Sequence, residues 1–129
     1  MLKNKKNRVM VDMTCSILHH GHIRLLRKAS KLGRVVVALT SDKEIIKNKR
    51  FKPPLNFSQR KEILESIKYV SKVVKTGFYI NEKILKKERC KFLVHGNDNK
   101  NIISPKYLKI FPRTKKISST RLRKKITTK

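Results

Sequence analysis

Residues 8–39 read R-V-M-V-D-M-T-C-S-I-L-H-H-G-H-I-R-L-L-R-K-A-S-K-L-G-R-V-V-V-A-L, and the pattern of this segment indicates the fold class. Its short apolar run at 9–11 predicts a buried strand, and the continuous run at 35–39 predicts a second one. Between them, an apolar face with helical spacing begins near Gly21 and reaches Leu32, and Gly33 stands where a helix-ending glycine is expected. A strand, a helix and a strand in this order predict two parallel strands joined by a crossover helix.

The rest of the chain continues this alternation. Asn56 and Gln59 resemble a capping box at the start of a helix whose core face would hold Ile63, Leu64 and Ile67. Short apolar runs predict three more strands at 70–74, 92–94 and 108–111, with helices within 42–54, over 80–88 and over 117–126. The expected fold class is therefore α/β: a Rossmann-like three-layer α/β/α arrangement with a parallel five-stranded sheet.

The length fits a single domain over 1–129, with a core at about 8–126 and basic tails at 1–7 and 127–129. The sequence contains no internal repeat and no linker long enough to separate two domains. Ligands of such sheets bind beyond the carboxyl ends of the strands. The loops after Asp12, Leu39, Val94 and Phe111 are therefore where a site is expected.

The charge of the chain is strongly positive. It holds 35 Lys and Arg residues against 8 Asp and Glu residues, a net charge of +27. Such a surface attracts polyanions, which include nucleic acids, anionic lipids and nucleoside triphosphates. Because Lys, Ile and Asn are abundant together, as in chains biased toward AT-rich codons, the charge indicates affinity for phosphate without identifying the partner.

The sequence also bears on location. It has no apolar run near ~20 residues, so no membrane span is expected. The apolar stretch after the basic N-terminus is too short for a signal peptide. Cys15 and Cys90 lie far apart without metal-type spacing, which favours two reduced thiols in a cytoplasmic protein.

The sharpest motif is His19-His20-Gly21-His22, at the junction between the first strand's loop and the first helix. A helix N-terminus offers unpaired backbone N–H groups and the positive end of a dipole, and a glycine there lets a phosphate approach the backbone. His19 and His22 are three residues apart and can both donate hydrogen bonds to an oxyanion. Zinc is the alternative, but no third ligand is evident nearby. The motif therefore favours phosphate chemistry.

With this motif the chain resembles the cytidylyltransferase-like family, the HxGH nucleotidyltransferases, over roughly residues 8–126. His19-x-Gly21-His22 matches the first family signature, and residues 113–120, R-T-K-K-I-S-S-T, match the second, R-T-x-G-I-S-[ST]-T, at seven of eight places. Lys68-Tyr69-Val70 resembles the family's R-Y-V, and Gly96-Asn97-Asp98 resembles its G-D-D. The likeness is greatest to glycerol-3-phosphate cytidylyltransferase and the related phosphocholine and phosphonate enzymes.

The resemblance implies catalytic roles for His19, His22, Arg60 and Arg113. It also implies a lysine from the loop after the second strand, for which Lys47 and Lys49 are the candidates. The residues expected to bind nucleotide are Thr14, Cys15, Gly21, Asp98, Arg113, Thr114, Ile117, Ser118, Ser119 and Thr120.

The implied reaction is attack by a substrate phosphate on the α-phosphate of CTP, with pyrophosphate leaving. The acceptor would be a small phosphorylated or phosphonate molecule, such as glycerol 3-phosphate or phosphocholine. Positioning and positive charge supply most of such catalysis. Mg²⁺ would bridge the phosphates through water and substrate oxygens, so no protein metal site is expected. Homodimers are common in the family, and a homodimer is expected here.

The sequence departs from the family at several places. Met13-Thr14-Cys15-Ser16 stands where G-T-F-D is usual, Lys115 and Lys116 replace Glu and Gly, and Asn97 replaces the first Asp of G-D-D. Two alternatives stay open: adenylyl transfer from ATP to a sugar phosphate or similar acceptor, and a basic protein that binds nucleic acid nonspecifically.

Overall fold

The computed structural model describes residues 7–96 and 99–111, and these ranges contain five parallel strands and four helices. The strands are β1 (Arg8–Met13), β2 (Arg34–Thr40), β3 (Val70–Thr76), β4 (Cys90–Gly96) and β5 (Leu108–Phe111). The helices are α1 (His20–Ser30), α2 (Asp42–Lys49), α3 (Phe57–Glu65) and α4 (Glu82–Lys87), with a short 3-10 turn at Pro105–Tyr107.

The sheet has the strand order β3-β2-β1-β4-β5. Every neighbouring pair is parallel; at the centre, Val11 lies opposite Val37 on β2 and Val94 on β4. Strands β2 and β3 lie on one side of β1, and strands β4 and β5 lie on the other. The strand order therefore reverses between β1 and β4. This reversal is the topological switch point at which sheets of this type bind ligands. The predicted α/β fold class with a parallel five-stranded sheet is confirmed.

The two faces of the sheet carry separate cores, because successive residues of a strand point to opposite faces. Val9 and Val11 belong to a cluster that packs under α1 and α3, together with Leu26 and Leu64. Met10, on the other face, packs in a second cluster that includes residues of α4. The central strands are covered on both faces, as their unbroken apolar runs predict.

Side-chain caps fix where the helices begin. Ser41 caps α2 and Asn81 caps α4, each by accepting a backbone N–H with its side-chain oxygen. The predicted capping box at α3 is confirmed: Gln59 N donates to Asn56 Oδ1 at 2.9 Å, and Asn56 N donates to Gln59 Oε1 at 2.9 Å.

The predicted core face of α3 is partly wrong. Leu64 is fully buried, but Ile63 is 36% exposed, and Arg60 is buried to 1% exposure instead. The guanidinium can be buried because it finds four hydrogen-bond acceptors near the carboxyl edge of the sheet, whereas Ile63 lies on the outward side of the helix. Ile67, beyond the end of the helix, packs against the core as predicted.

The predicted role of Gly33 is also wrong. Helix α1 ends at Ser30 with a right-handed C-cap at Lys31, and no described glycine has a positive φ. Gly33 is instead required by a close approach, because a Cβ there would lie 2.6 Å from the carbonyl oxygen of Asn7. The adjacent Arg34 N–H donates to the same oxygen at 2.8 Å and aligns the starts of β1 and β2.

The predicted terminal helix at 117–126 lies outside the described residues. Within the described ranges, no helix is long and apolar enough to cross a bilayer.

Candidate active site

The loop that leaves β1 delivers two histidines to the start of α1, and both cap the helix. Gly21 N donates to Nδ1 of His19 at 3.0 Å, and His19 N donates to Nδ1 of His22 at 3.1 Å. The two imidazoles therefore form a reciprocal capping box, with ring centroids 4.0 Å apart. The motif thus serves as the local signal that starts α1, a function that the sequence alone did not indicate.

These capping bonds fix the proton on each ring. An imidazole nitrogen accepts an N–H only when it carries no proton itself, so each neutral ring holds its proton on Nε2. Each Nε2–H is then a donor at the positive end of the helix dipole, and the first turn contains no acidic residue. Two imidazole donors, backbone N–H groups and Gly21 are a set suited to binding the oxygens of a phosphate.

The residues before this motif form a buried turn with one strained position. Cys15 is 5% exposed and adopts a left-handed φ of 50°. Burial raises the pKa of the Cys15 thiol to about 12, although the positive charge of Arg60 opposes the rise. The thiol is therefore protonated and chemically inert near neutral pH, and Cys15 can only contribute shape and backbone groups to a ligand.

Arg60 joins the carboxyl ends of β1 and β2. Its Nη1 donates to the carbonyl oxygens of Thr14 at 2.8 Å and of Thr40 at 2.9 Å, and its Nε donates to Leu55 O at 3.1 Å. Its Nη2 lies 2.6 Å from Asp42 Oδ1. The resemblance implied a catalytic role for this arginine. Its placement at 1% exposure, with four protein acceptors, is that of a residue that shapes the loop before the histidine motif.

Asp42 uses its second carboxylate oxygen to start α3, because Phe57 N donates to Oδ2 at 3.0 Å. The same carboxylate therefore connects β2, α2 and α3 through Arg60. Sequence reasoning missed Asp42. The available signal was an acidic residue two positions after a buried strand, which is also typical of an ordinary helix start.

The two candidate lysines lie on α2, and both are exposed. Lys49 Nζ stands 5.7 Å from the ring centroid of Phe78, in the loop after β3. Lys47 is two residues earlier, about 200° around the helix, so the two side chains point in nearly opposite directions.

A second polar group lies on the α4 face of the sheet, at the switch point. Asp12 of β1 and His95 of β4 stand side by side, with His95 Nδ1 2.5 Å from Asp12 Oδ1. Asn101 Nδ2 donates to Asp12 Oδ2 at 3.0 Å. Sequence reasoning missed this group too, although a charged residue at the end of one central apolar strand and a histidine in another were visible signals.

Several predicted site residues lie outside the described ranges, so the structure does not place them: Asp98, Arg113, Thr114, Ile117, Ser118, Ser119 and Thr120. In the part of the chain that is described, no group of three His, Cys, Asp or Glu side chains could hold a metal ion.

Comparison with protein families gives a match over most of the chain. A family model described as cytidylyltransferase-like matches residues 14–125. This range includes both histidines of the capping box, Arg60 and the loop after β4.

Individual relatives differ in how much they share with the chain. Glycerol-3-phosphate cytidylyltransferase of Staphylococcus aureus is 33% identical over 127 residues, which is 92% of this chain and 94% of the relative. FAD synthase of Pyrococcus abyssi is 37% identical over 57% of the chain, and ethanolamine-phosphate cytidylyltransferase of Dictyostelium discoideum is 38% identical over 74%. The matched region spans only 51% of the FAD synthase and 27% of the ethanolamine-phosphate enzyme.

A solved structure shares the fold. The lipopolysaccharide core biosynthesis protein of Thermoplasma volcanium superposes with a TM-score of 0.64 at 23% identity, covering 93% of this chain and 85% of the other.

Proposed function

The chain belongs to the cytidylyltransferase-like family, and from that premise we propose that it transfers CMP from CTP to a small phosphorylated or phosphonate acceptor and releases pyrophosphate. The observation that carries the proposal is the imidazole capping box at the start of α1. It holds two Nε2–H donors at a helix N-terminus that follows β1, one of the two strands at the switch point. The near full-length likeness to a glycerol-3-phosphate cytidylyltransferase supports an acceptor of that kind.

In the proposed reaction, an acceptor phosphate oxygen attacks the α-phosphorus and the bond to the pyrophosphate oxygen breaks. The protein has to hold the two anions together and balance the charge that develops around phosphorus. His19 and His22 would donate from Nε2 to the α-phosphate oxygens. Arg60 would hold the preceding loop in place through the Thr14 carbonyl. Exposed lysines such as Lys47 or Lys49 would add positive charge at the triphosphate.

Mg²⁺ would enter as the complex with the triphosphate. The Nε2–H groups of His19 and His22 carry protons and therefore offer no lone pair to a divalent cation. Mg²⁺ prefers oxygen ligands and keeps several waters, so phosphate oxygens and water would complete its coordination.

Adenylyl transfer from ATP is the second candidate. The observation in its favour is the 37% identity to an archaeal FAD synthase, whose named product contains an adenylyl group. The same histidine donors would serve either nucleotide, so the choice depends on contacts to the base.

The test is thermal unfolding with Mg²⁺ and each of CTP, ATP, GTP and UTP, followed by pyrophosphate release with candidate acceptors. A ligand at 100 times its Kd stabilises the folded state by about 2.7 kcal/mol. We expect CTP to raise the unfolding midpoint most. Equal small shifts with all four nucleotides would instead indicate nonspecific binding of polyanions.

Variants of the capping box sharpen this test. The Oδ1 atom of asparagine reaches the position of the histidine Nδ1, so His19→Asn keeps the cap and removes the Nε2–H donor. It should retain the unfolding midpoint without nucleotide and lose the CTP-induced shift. His19→Ala should lose the shift and also about 1 kcal/mol of stability, the typical value of an N-cap. His20→Asn, at the exposed neighbouring histidine, is the matched control and should behave like the wild type.

A further inference from the structure

The carboxylate of Asp12 binds both ends of the loop that leaves β4. His95, the last residue but one of that strand, contacts Oδ1 at 2.5 Å, and Asn101, beyond the loop, donates to Oδ2 at 3.0 Å. Because a carboxylate only accepts hydrogen bonds, His95 Nδ1 is the donor in this pair. One side chain of β1 therefore contacts His95 at the end of β4 and Asn101 six residues later.

Asn101 is the second junction of this network. Its Oδ1 accepts the backbone N–H of Ile80 at 2.6 Å, which links the segment before α4 to the same group. Asn99 Oδ1 accepts from Asn101 Nδ2 at 2.8 Å and from Asn101 N at 3.1 Å, and Asn99 Nδ2 donates to Asn101 O at 3.3 Å. Asn99 and Asn101 are thus held by side-chain hydrogen bonds as well as by the backbone.

The network lies where the strand order of the sheet reverses, which is where a ligand is expected to bind. β1 and β4 are the two strands at which the strand order reverses, and Asp12 and His95 lie next to each other at their carboxyl ends. A ligand of this fold binds in the crevice between the loops that leave these two strands. The loop from β1 carries the histidine capping box, and the chain that leaves β4 begins at the same edge of the sheet.

We propose that Asp12, His95 and Asn101 are positioning residues for nucleotide binding. They hold the segment at 99–101 at the distance from the histidine motif that the nucleotide requires. The inference rests on the proposed function and adds a determinant that lies outside the two family signatures. Since the network acts on a loop and not on the reacting phosphorus, it should control the KM for nucleotide while leaving kcat nearly unchanged.

The experiment compares disruptive with conservative replacements. Asp12→Leu and His95→Leu remove the hydrogen bond between the strands. Asp12→Asn and His95→Asn keep a polar group at the same place, and His95 can change tautomer to donate or accept as needed. We expect the leucine variants to raise the KM for CTP by about tenfold or more, and the asparagine variants to stay within about threefold of the wild type.

Asn101→Ala breaks the network in the loop without altering a strand, so it tests the proposal even if a leucine variant fails to fold. It should raise the KM for CTP and the Kd measured by calorimetry to a similar extent. The control is Glu88→Gln, which weakens a carboxylate that contacts Arg8 and Lys72 at the amino end of the sheet. Its KM and kcat should equal those of the wild type.

Two outcomes overturn the inference. Folded Asn101→Ala with an unchanged KM and Kd would show that the network does not position the nucleotide site. A fall in kcat at constant KM would place its effect on the chemical step instead. Absence of nucleotide binding and turnover in the wild type would be a different failure, because it would refute the proposed function itself.

Discussion

Arg60 is a buried charged residue that connects several segments of the fold through hydrogen bonds. Its guanidinium satisfies carbonyl groups 46 and 20 residues away along the chain, at Thr14 and Thr40, and pairs with Asp42. Removal of the side chain would leave these acceptors buried without a donor, which costs far more than the net value of the bonds themselves.

We therefore expect Arg60→Met to lower the free energy of unfolding by about 2–4 kcal/mol, because the Thr14 and Thr40 carbonyl oxygens lose their donor at about 1–3 kcal/mol each. Arg60→Lys should be nearly as harmful, because a single ammonium cannot serve acceptors on three segments. Urea denaturation monitored by circular dichroism measures both. Arg24→Met, at an exposed position of α1, is the control and should change stability by no more than about 0.5 kcal/mol. A small loss for Arg60→Met would contradict this account of the buried guanidinium.

The two buried thiols allow a prediction of how the free energy of unfolding depends on pH. Burial raises the pKa of Cys15 to about 12 and that of Cys90 to about 11, from an ordinary value of 9.0. Above pH 9 the unfolded chain releases the thiol protons while the folded protein keeps them. The free energy of unfolding should therefore fall as pH rises from 9 toward these raised values, and below pH 9 the contribution is fully present.

Thiol titration with a disulfide reagent at pH 8 measures the same property. We expect both cysteines to react at least about tenfold more slowly in the native protein than in urea, because the thiolate is the reactive form. The alkaline decrease in stability should be shallower in Cys15→Ala than in the wild type. Rapid labelling of the native protein would contradict the burial of these thiols.

At the scale of the elements, some features could be read from the sequence and others could not. The valine run of β2 and the capping box at Asn56 were predictable because each signal is local, within a few residues. The burial of Arg60 and the pairing of Asp12 with His95 were not, because the partners of Arg60 include backbone groups and Asp12 lies 83 residues from His95. The histidine motif was found as a phosphate-binding signal, but its capping geometry depends on ring orientations that no sequence pattern encodes.

Gly33 gives an element-scale prediction about how α1 joins β2. A methyl group there would meet the Asn7 carbonyl at 2.6 Å, so the start of β1 would have to shift. We expect Gly33→Ala to destabilise the protein by about 1–3 kcal/mol, the usual cost of overpacking. At Gly77 a Cβ would lie 3.6 Å from its nearest neighbour, the Glu44 carboxylate, so Gly77→Ala should be neutral or slightly stabilising. Equal midpoints in thermal denaturation for the two variants would contradict this distinction.

At the scale of the whole molecule, most of the few acidic groups are engaged in contacts within the protein. Of the 8 acidic residues in the chain, at least five hold internal hydrogen bonds or ion pairs: Asp12, Asp42, Glu44, Glu82 and Glu88. The excess of positive charge is therefore left to the surface. Repulsion between these positive charges opposes the compact state, and dissolved salt weakens that repulsion.

The unfolding midpoint should consequently rise by several degrees between about 20 mM and about 300 mM NaCl, where the screening length shortens severalfold. Differential scanning calorimetry without nucleotide measures the effect. Sodium sulfate at equal ionic strength separates screening from anion binding, because bound anions would add a further rise with sulfate. A midpoint that is flat or falls with salt would show that surface repulsion is not a significant cost.

The central position of β1 in the sheet also determines the order in which its pairings with other strands can form. On one side β1 pairs with β2, which begins at Arg34. On the other side it pairs with β4, which begins only at Cys90. During synthesis, β1 therefore keeps one row of backbone donors and acceptors open until most of the chain has left the ribosome. A sheet of such long-range pairings folds slowly, and an open strand edge invites pairing with other chains. The geometry that places a ligand crevice between β1 and β4 thus also means that this junction closes only after β4 has been synthesised.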